Sequence, residues 1–384
     1  MPRAAQPPLQ EKDLHRWRLI EAFRAELTAV VAQRGGLAPD DTWSDPRRTL
    51  ALGDYLGLQL FGLLNPVVET LRGLAAASRL GRVQREVCSA AVSLGSLSEA
   101  QAVVEPGLLE AVFARLHART PPHAGPTRLT GREAVLDSTV WPALPRMAWA
   151  FWRTQHTGQN AVRLHLEFDL AKGTPARAAL TPAKICEQAW WRRHARAGTR
   201  YIGDRNFGKD YGLLGALSVR GVEWIVRLHG DARWVVEAEE ALQDADRAAR
   251  VEWAGRVRLG VRGDGPVARV VQVRGEAETI LIATNVTASE LPPELVATLY
   301  RHRWQVELFF RWLKCILGCR HWLAESPRGV AMQCYLALIA AQLLVLHTGR
   351  RPGKRQMELI QFYLLGWASA EELARGVMPP AKKS

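Results

Sequence analysis

The order of predicted elements between residues 132 and 230 constrains the fold more than any other feature of this sequence. Three strands come first, the second and third joined by the short turn "AKG", and a helix, a strand, a helix and a fifth strand follow. Alternating or apolar runs predict the strands, and apolar residues at helical spacing predict the helices. Strands that begin with a hairpin and then alternate with helices indicate an α/β sheet of mixed direction.

The regions on either side of this sheet are predicted to be helical. Residues 1–128 have the apolar spacing of helices, and they fit either a small DNA-binding module or a plain helical bundle. An α/β region spans 129–325 and is interrupted at 231–287 by a β-rich insertion, and residues 326–384 are helical again. The proline- and glycine-rich segment 119–131 indicates a boundary between the first two regions.

The charge of the chain indicates a polyanionic partner. The formal net charge is +13, and the isoelectric point is close to 10. An excess of this size is typical of proteins that bind nucleic acid, and arginine, which supplies most of it, suits bidentate contacts with phosphate. No uncharged apolar run long enough to span a membrane and no secretory leader are predicted. We therefore expect a cytoplasmic protein without a membrane partner.

The five cysteines indicate free thiols in a reducing compartment. Cys315, Cys319 and His321 are close enough in sequence to share a metal ion. A tetrahedral site would need a fourth ligand, which the sequence does not supply nearby. Structural thiols are therefore the preferred interpretation.

The segment "YRHRWQVELFFRWLK", residues 300–314, is predicted to form one amphipathic helix. At about 100° per residue, its polar and aromatic residues fall on one stripe: Tyr300, Arg303, Trp304, Glu307, Arg311 and Lys314. The opposite stripe is apolar and consists of Val306, Phe309, Leu313 and Ile316. A solvated face is the usual interpretation of a charged stripe. A single carboxylate among cations and aromatic rings, however, suits a DNA backbone with a bound metal. We therefore interpret Glu307 as a metal ligand rather than as an ion-pair partner of its basic neighbours.

Two aspartates lie where partners of Glu307 are expected. Two-metal phosphodiester chemistry needs carboxylates that converge on ions about 3.5–4 Å apart. Asp137 follows the apolar run "EAVL", and Asp204 follows "RYIG", so both lie near predicted strand ends, where functional residues collect in α/β sheets. Taken singly, each is better explained as a turn cap. Asp169 and Asp210 compete with them but have simpler roles, in a predicted hairpin turn and inside a predicted helix.

With these residues identified, the sequence resembles a known family. The spacing Y-x2-R-x3-E-x6-K in residues 300–314 resembles the signature of DDE transposases of the insertion-sequence-four type, the group that includes the transposon-five transposase. "LDSTV" around Asp137 is similar to the first acidic motif, and "GDRNF" around Asp204 is similar to the second, usually written D-x-G/A-x-Y/F. The resemblance covers about residues 130–325. Asn206 departs from it, because the family usually has glycine or alanine there.

The resemblance implies an α/β protein with an RNase-H-like catalytic core and an inserted β subdomain, flanked by helical N- and C-terminal regions. It implies that Asp137, Asp204 and Glu307 are the catalytic residues and bind two Mg²⁺ ions, for which Mn²⁺ can substitute. The DNA-binding residues that it implies are Tyr300, Arg303, Trp304, Arg311 and Lys314. Trp304 matches a position that stacks on a displaced base, and Trp234 and Trp253 are candidates for a second such probe.

The function implied is DNA transposition by a bacterial insertion sequence. Members of the family cut transposon ends by hydrolysis, in some cases through hairpin ends, and join the 3′-hydroxyl to target DNA. The partners are then double-stranded DNA, at the terminal inverted repeats and at the target, and a second copy in a homodimeric synaptic complex. Residues 1–128 would bind the DNA ends, and residues 326–384 would serve dimerisation or DNA contact. Two alternatives stay open: an RNase-H-like DNA nuclease without strand transfer, and a catalytically dead DNA-binding protein derived from a transposase.

Overall fold

The computed structural model describes residues 19–37, 41–122, 129–153, 158–315, 317 and 322–377. These residues fall into two compact units. A helical unit consists of the described residues up to 120 and from 311 onward, and an α/β unit consists of those from 121 to 310. The N- and C-terminal helical regions, which the sequence separates, thus belong to one unit.

The helices of the described residues are, in chain order, α1 (Leu19–Gln33), α2 (Leu52–Leu64), α3 (Leu71–Ala77), α4 (Gly81–Glu86), α5 (Leu94–Val103), α6 (Pro106–Arg119), α7 (Glu187–His194), α8 (Tyr211–Val219), α9 (Asp244–Ala248), α10 (Pro293–His302), α11 (Trp304–Cys315), α12 (Pro327–Thr348), α13 (Lys354–Leu365) and α14 (Ala370–Val377). The strands are β1 (Glu133–Pro142), β2 (Phe151–Arg153), β3 (Gly158–Asp169), β4 (Thr174–Pro182), β5 (Arg200–Gly203), β6 (Glu223–Arg227), β7 (Trp234–Glu239), β8 (Val251–Leu259), β9 (Val267–Arg274) and β10 (Thr279–Thr284). The strands predicted between residues 132 and 287 are all present, and β2 is an addition to them.

The long helix α12 is the centre of the helical unit. It packs against α1, α2, α5 and α6, and its buried side chains come from every side of the helix. A helix that is apolar all round is expected in the middle of a bundle. By length and composition it could cross a membrane, so the prediction that no such segment exists is wrong. However, 83% of its most apolar window is buried by the protein itself, as in the core helix of a globular protein.

The sequence fixes both ends of α12. Ser326 is the N-cap, and its hydroxyl accepts a hydrogen bond from the Gly329 amide at 3.1 Å. Pro327 follows at the first helical position, where its missing N–H costs nothing. Gly349 ends the helix with φ 71°, a left-handed conformation that glycine adopts without strain.

The α/β unit is built on one continuous sheet. Its strand order is β4-β3-β1-β5-β6-β10-β9-β8-β7, and β2 pairs with the first residues of β3. β1, β5 and β6 are parallel to one another, and the other neighbouring strands are antiparallel. This is the mixed direction predicted from the order of elements. The predicted insertion at 231–287 does not form a separate sheet, because β10 pairs with β6 and connects β9, β8 and β7 to it.

Helices α7 and α8 cover one face of this sheet. Their buried residues form an apolar cluster with residues of β1, β5 and β6. The cluster includes Leu136, Trp190, Trp191, Tyr201, Leu213, Leu214, Leu217 and Trp224. Three tryptophans, a tyrosine and several leucines give this face a large buried apolar area, which stabilises the packing of both helices.

Helix α11 lies against the opposite face. The Phe309 ring contacts Phe168 at 5.6 Å between centroids, and Phe168 is the strand partner of Val135. Paired residues lie on the same side of a sheet, and successive side chains of a strand point to opposite sides. Asp137 therefore shares the α11 face with Val135, whereas Ser138 points to the α7 face.

A buried ion cluster joins the first residues of the three parallel strands. Arg200 begins β5 and is 2% exposed. Its guanidinium contacts three carboxylates: Glu223 at 2.7 Å, Glu290 at 2.8 Å and Glu133 at 3.4 Å. Glu133 is also buried and accepts a hydrogen bond from the Thr130 amide at 2.9 Å. The cluster therefore holds the N-terminal ends of β1, β5 and β6 together. Asp137 lies four residues farther along β1.

Candidate active site

The parallel pairing of β1 and β5 brings two predicted site residues side by side. Val135 on β1 is paired with Ile202 on β5. The same register, continued by two residues, places Asp137 beside Asp204, the first residue after β5 ends at Gly203. Their charges interact, since the Asp204 carboxylate contributes to a raised pKa of Asp137.

The turn after β5 is held tightly against β6. Asp204 Oδ1 accepts a hydrogen bond from the Asn206 amide at 2.8 Å, so this aspartate does cap a turn. A Cβ at Gly208 would lie 2.0 Å from the carbonyl oxygen of Arg227. Any residue other than glycine would therefore displace the turn, and Gly208 fixes the position of Asp204.

The predicted helix over 300–314 is interrupted at Arg303. Helix α10 ends before this residue, and α11 begins after it. Short hydrogen-bonded turns lie on both sides, because Arg303 N donates to Tyr300 O at 3.1 Å and Val306 N donates to Arg303 O at 3.2 Å. The prediction of one continuous helix is therefore wrong, and Tyr300 and Glu307 belong to different helices.

The Arg303 guanidinium lies between two predicted metal ligands. Its Nη2 atom is 2.6 Å from Glu307 Oε1, and its Nη1 atom is 3.6 Å from Asp137 Oδ2. It also lies 5.9 Å from the centre of the Tyr300 ring, within the range of a cation–π contact. Glu307 is thus an ion-pair partner of Arg303 in this structure, contrary to the interpretation drawn from the sequence.

Negative charge is concentrated around Asp137. Burial first and the Glu187 carboxylate second raise the pKa of the Asp137 carboxyl, which reaches about 7. Asp204 adds to the rise, and Arg303 opposes it. Carboxylates that resist ionisation in this way attract a cation, because a cation lowers the cost of ionising them.

The donor set fits a divalent metal ion. Carboxylate oxygens are the ligands that Mg²⁺ and Mn²⁺ prefer. Within the described ranges, no three His, Cys, Asp or Glu side chains are close enough together to hold one ion. The positively charged guanidinium of Arg303 lies between Asp137 and Glu307.

Sequence reasoning missed Glu187, the first residue of α7. Its carboxylate accepts hydrogen bonds from the Ser138 hydroxyl and from Asn206 Nδ2, the latter at 3.1 Å. The available signals were an acidic residue opening the helix after the hairpin, and the departure of Asn206 from the second acidic motif. An acidic residue in the first turn of a helix is common for electrostatic reasons, so the first signal is not specific.

The remaining predicted DNA-binding residues belong to α11. Trp304 is 51% exposed, Arg311 is exposed and Lys314 is half-buried. Lys314 follows Glu307 by about two helical turns, so both lie along one side of α11.

The two insertion tryptophans stack on each other. The Trp234 and Trp253 ring centroids are 6.4 Å apart, and the ring planes differ by 24°. β8, which carries Trp253, is five strand positions from β1 in the sheet. At about 4.8 Å per strand, this separates the rings from Asp137 by roughly 24 Å along the sheet.

The competing aspartates have structural roles. Asp169 Oδ1 accepts from the Lys172 amide at 3.0 Å in the turn between β3 and β4, as predicted. Asp210 caps α8, accepting from the Leu213 amide at 2.8 Å, rather than lying inside the helix.

The alternative metal site cannot be placed, since Cys319 and His321 lie outside the described residues. Among the described cysteines, Cys186 and Cys315 are exposed, Cys88 and Cys334 are buried, and none of these four forms a disulfide. A site shared by Cys315, Cys319 and His321 therefore stays a prediction.

In the metal-free protein, Asp137→Asn is expected to raise the free energy of unfolding at pH 8 by roughly 2–4 kcal/mol. The pKa of Asp137 is raised to about 7 in the folded chain, so the folded state binds more protons than the unfolded state between about pH 4 and pH 7. The free energy of unfolding therefore falls as the pH rises through this window. Asparagine does not ionise, so the variant does not show this fall. Urea unfolding of both proteins in EDTA at pH 8 and pH 5 measures the gain in the free energy of unfolding. The gain should be smaller at pH 5, and an equal or absent gain at both values contradicts the prediction.

The structure thus brings Asp137 of β1, Asp204 in the turn after β5 and Glu307 of α11 into one region of the α/β unit. Residues 129–343 match the family described as Transposase DDE domain, which is more than half of the 384-residue chain. The chain belongs to this family.

A curated relative agrees with this membership. The chain is 28% identical over 227 residues to "Putative transposase y4zB" of Sinorhizobium fredii (strain NBRC 101917 / NGR234), an alignment that covers 57% of this chain and 62% of the relative. The chain thus matches less than two thirds of the length of that relative. It also aligns with a cryo-EM structure of a piggyBac transposase synaptic complex with hairpin DNA, over 99% of this chain and 84% of that one. The sequence identity is 9% and the TM-score 0.44, too low to define a shared fold.

Proposed function

We propose that this chain is a DNA transposase of the insertion-sequence-four type, which cuts DNA at the ends of its element and joins the freed 3′-hydroxyl to target DNA. The observation that supports it best is the convergence of three carboxylates. Asp137 and Asp204 are neighbours at adjacent parallel strands, and Glu307 is linked to Asp137 through one guanidinium. Membership in the transposase family supports the same function.

In this proposal, β1, β3, β4, β5 and β6 with α7 and α8 form an RNase-H-like core, and β7 to β9 correspond to the inserted β subdomain. The described helices up to residue 120 bind the DNA ends, and those from 327 onward serve dimerisation or DNA contact. Two copies act on a pair of ends, in the cytoplasm at the nucleoid. Excision proceeds with or without hairpin ends.

Asp137, Asp204 and Glu307 would hold two Mg²⁺ ions, with Mn²⁺ as a substitute. Such ions, when bound, activate water or a 3′-hydroxyl for attack and stabilise the departing oxygen. The protein positions the three carboxylates. Strand register aligns the two aspartates, and Phe309 holds α11, which carries Glu307, on the sheet.

Arg303 has two roles in this proposal. Its guanidinium neutralises part of the charge of the two carboxylates that it contacts. When it leaves them, the same group is available for a bidentate contact with a DNA phosphate. Tyr300, Arg311 and Lys314 contact neighbouring phosphates. The exposed Trp304 ring stacks on a displaced base, a contact worth roughly 1–3 kcal/mol.

The test is an in vitro reaction with the element's own ends. The DNA flanking the gene supplies the inverted repeats, which are placed on a supercoiled plasmid and incubated with the full chain and Mg²⁺ or Mn²⁺. A second reaction uses pre-cut ends and a target plasmid. We expect cleavage at the repeat ends in the first reaction and joined products in the second.

The same two reactions separate the alternatives. Cleavage without joining of pre-cut ends identifies a nuclease without strand transfer. Binding of the repeats without metal-dependent nicking identifies a catalytically inactive DNA-binding protein. Either result overturns the proposed function.

Lys314→Ala is expected to weaken binding of end DNA by roughly three- to tenfold and to lower the salt slope of log K by about one. The lysine lies two turns beyond Glu307 on α11 and would lose one phosphate contact. Binding is measured by fluorescence anisotropy at several salt concentrations. Arg247→Ala, which removes an exposed basic residue of α9, outside the helices assigned to DNA contact, is the matched control and should change neither quantity. Equal losses of DNA binding and of Mn²⁺ binding in Lys314→Ala would contradict its assigned role.

A further inference from the structure

The Glu187 carboxylate connects the two segments that carry the aspartates. Its Oε1 atom accepts a hydrogen bond from the hydroxyl of Ser138, the residue after Asp137. Its Oε2 atom accepts from Asn206 Nδ2 at 3.1 Å, two residues after Asp204. One carboxylate oxygen is thus bonded to β1 and the other to the turn after β5.

Arg163 completes this cluster. Its Nη1 atom donates to the Ser138 hydroxyl oxygen at 2.8 Å and lies 3.5 Å from Glu187 Oε1. The Glu187 side chain is 13% exposed and that of Arg163 is 17% exposed, so solvent screens the contacts little. Hydrogen bonds to a shielded carboxylate are among the stronger ones in proteins.

The hydrogen bonds of Glu187 reach neighbours of the two aspartates rather than the aspartates themselves. Ser138 and Asp137 are successive residues of β1, so their side chains point to opposite faces of the sheet. Glu187 contacts Ser138 from α7, whereas Asp137 shares its face with α11. Both Glu187 oxygens already accept hydrogen bonds from protein donors. Glu187 is therefore placed to hold the segments that carry the metal ligands, and not to be a ligand itself.

We infer that Glu187 is a positioning residue that, through Ser138 and Asn206, sets the separation of Asp137 and Asp204 for divalent-metal binding. The inference rests on the proposed function, which makes these aspartates the ligands. It also explains Asn206, which departs from the glycine or alanine of the resembled motif. The longer side chain supplies the donor that ties the second strand end to Glu187.

The test measures binding of Mn²⁺ alone to the full chain by isothermal titration calorimetry and by the loss of the free Mn²⁺ electron paramagnetic resonance signal. Glu187→Gln replaces one acceptor oxygen with an NH₂ group that faces a donor. We expect it to lower Mn²⁺ affinity roughly 10- to 100-fold, as is typical when the partner of a metal ligand is removed. Asn206→Ala, which breaks one of the two links, should lower it less than Glu187→Gln does.

A paired substitution separates positioning from general loss of structure. In Glu187→Gln combined with Asn206→Asp, the hydrogen bond between the two positions is restored with donor and acceptor exchanged, and the total charge is unchanged. We expect this pair to recover Mn²⁺ affinity to within about threefold of the original chain. Glu276→Gln, at an exposed site of the same unit, is the matched control and should bind Mn²⁺ normally.

Asp137→Ala distinguishes failure of the inference from failure of the proposed function. If Asp137→Ala abolishes Mn²⁺ binding while Glu187→Gln and Asn206→Ala leave it unchanged, the positioning role is overturned and the function stands. If Asp137→Ala has no effect on Mn²⁺ binding, the proposed metal site itself is wrong. Thermal unfolding shows which variants are folded. Should Glu187→Gln fail to fold, Asn206→Ala and the paired substitution decide, and no change in the former or no recovery in the latter overturns the inference.

Discussion

Asp137→Asn is expected to lower the rate of metal-dependent cleavage at transposon ends by roughly a thousandfold or more, a loss of at least about 4 kcal/mol of transition-state stabilisation. Asp204→Asn and Glu307→Gln should have effects of the same size. An amide is a weaker metal ligand than a carboxylate and leaves the site with less negative charge, so the charge developing in the reaction is less well stabilised. Single-turnover cleavage of a labelled end duplex in Mg²⁺ measures the rate.

Two controls make this result specific to chemistry. End-DNA binding in EDTA should stay within about threefold of the original chain, because phosphate contacts dominate affinity and the three carboxylates contribute none of them. Asp169→Asn is the matched substitution at an aspartate that caps a turn, and asparagine caps such turns as well. It should cleave at a normal rate. An Asp137→Asn or Glu307→Gln protein that cleaves as fast as Asp169→Asn would rule out the assigned catalytic role.

Arg200→Met is expected to lower the free energy of unfolding by about 3–5 kcal/mol. The guanidinium is the cation of a buried cluster, and its loss leaves the buried Glu133 without its charge partner. Glu223 and Glu290 lose a contact as well, but both are more exposed and are solvated in part. Urea unfolding at pH 7, followed by circular dichroism, gives the difference.

A double substitution tests the cause of this loss. If the cost comes from an unpaired buried charge, Arg200→Met combined with Glu133→Gln should regain a large part of the stability, because the carboxylate charge is removed as well. Arg132→Met is the control, since Arg132 contacts Glu290 and Glu223 from a side chain that is 42% exposed, and it should cost less than about 1 kcal/mol. A loss in Arg200→Met no larger than that in Arg132→Met would show that burial does not set the energy of the cluster.

The strands and helices of the α/β unit could be predicted because each carries its own local signal. Alternation in "AVRLHLEFDL" reflects a strand with neighbours on both sides, and the glycine and proline punctuation gives the turns. No such local signal predicts that Asp137 and Asp204 lie side by side. It depends on parallel pairing between segments 67 residues apart, and a register shift of one residue would turn one side chain to the other face.

Glu187 and the break at Arg303 were not predicted, for different reasons. Glu187 acts through tertiary contacts with two distant turns, which no local pattern encodes. The break lies in a sequence with good helical spacing, and no glycine or proline marks it there. The Arg303–Glu307 ion pair, by contrast, has the i, i+4 spacing at which such pairs form, and the sequence contained that information.

The interruption at Arg303 changes what the spacing Y-x2-R-x3-E-x6-K measures. Tyr300 belongs to the last turn of α10, and Glu307 and Lys314 belong to α11, so the signature spans two helices. The interval from Tyr300 to Arg303 spans the end of α10, and the interval from Glu307 to Lys314 spans about two turns of α11. Tyr300 and Glu307, for which we propose phosphate and metal binding, are therefore positioned by separate helices, and Arg303 is the residue between those helices.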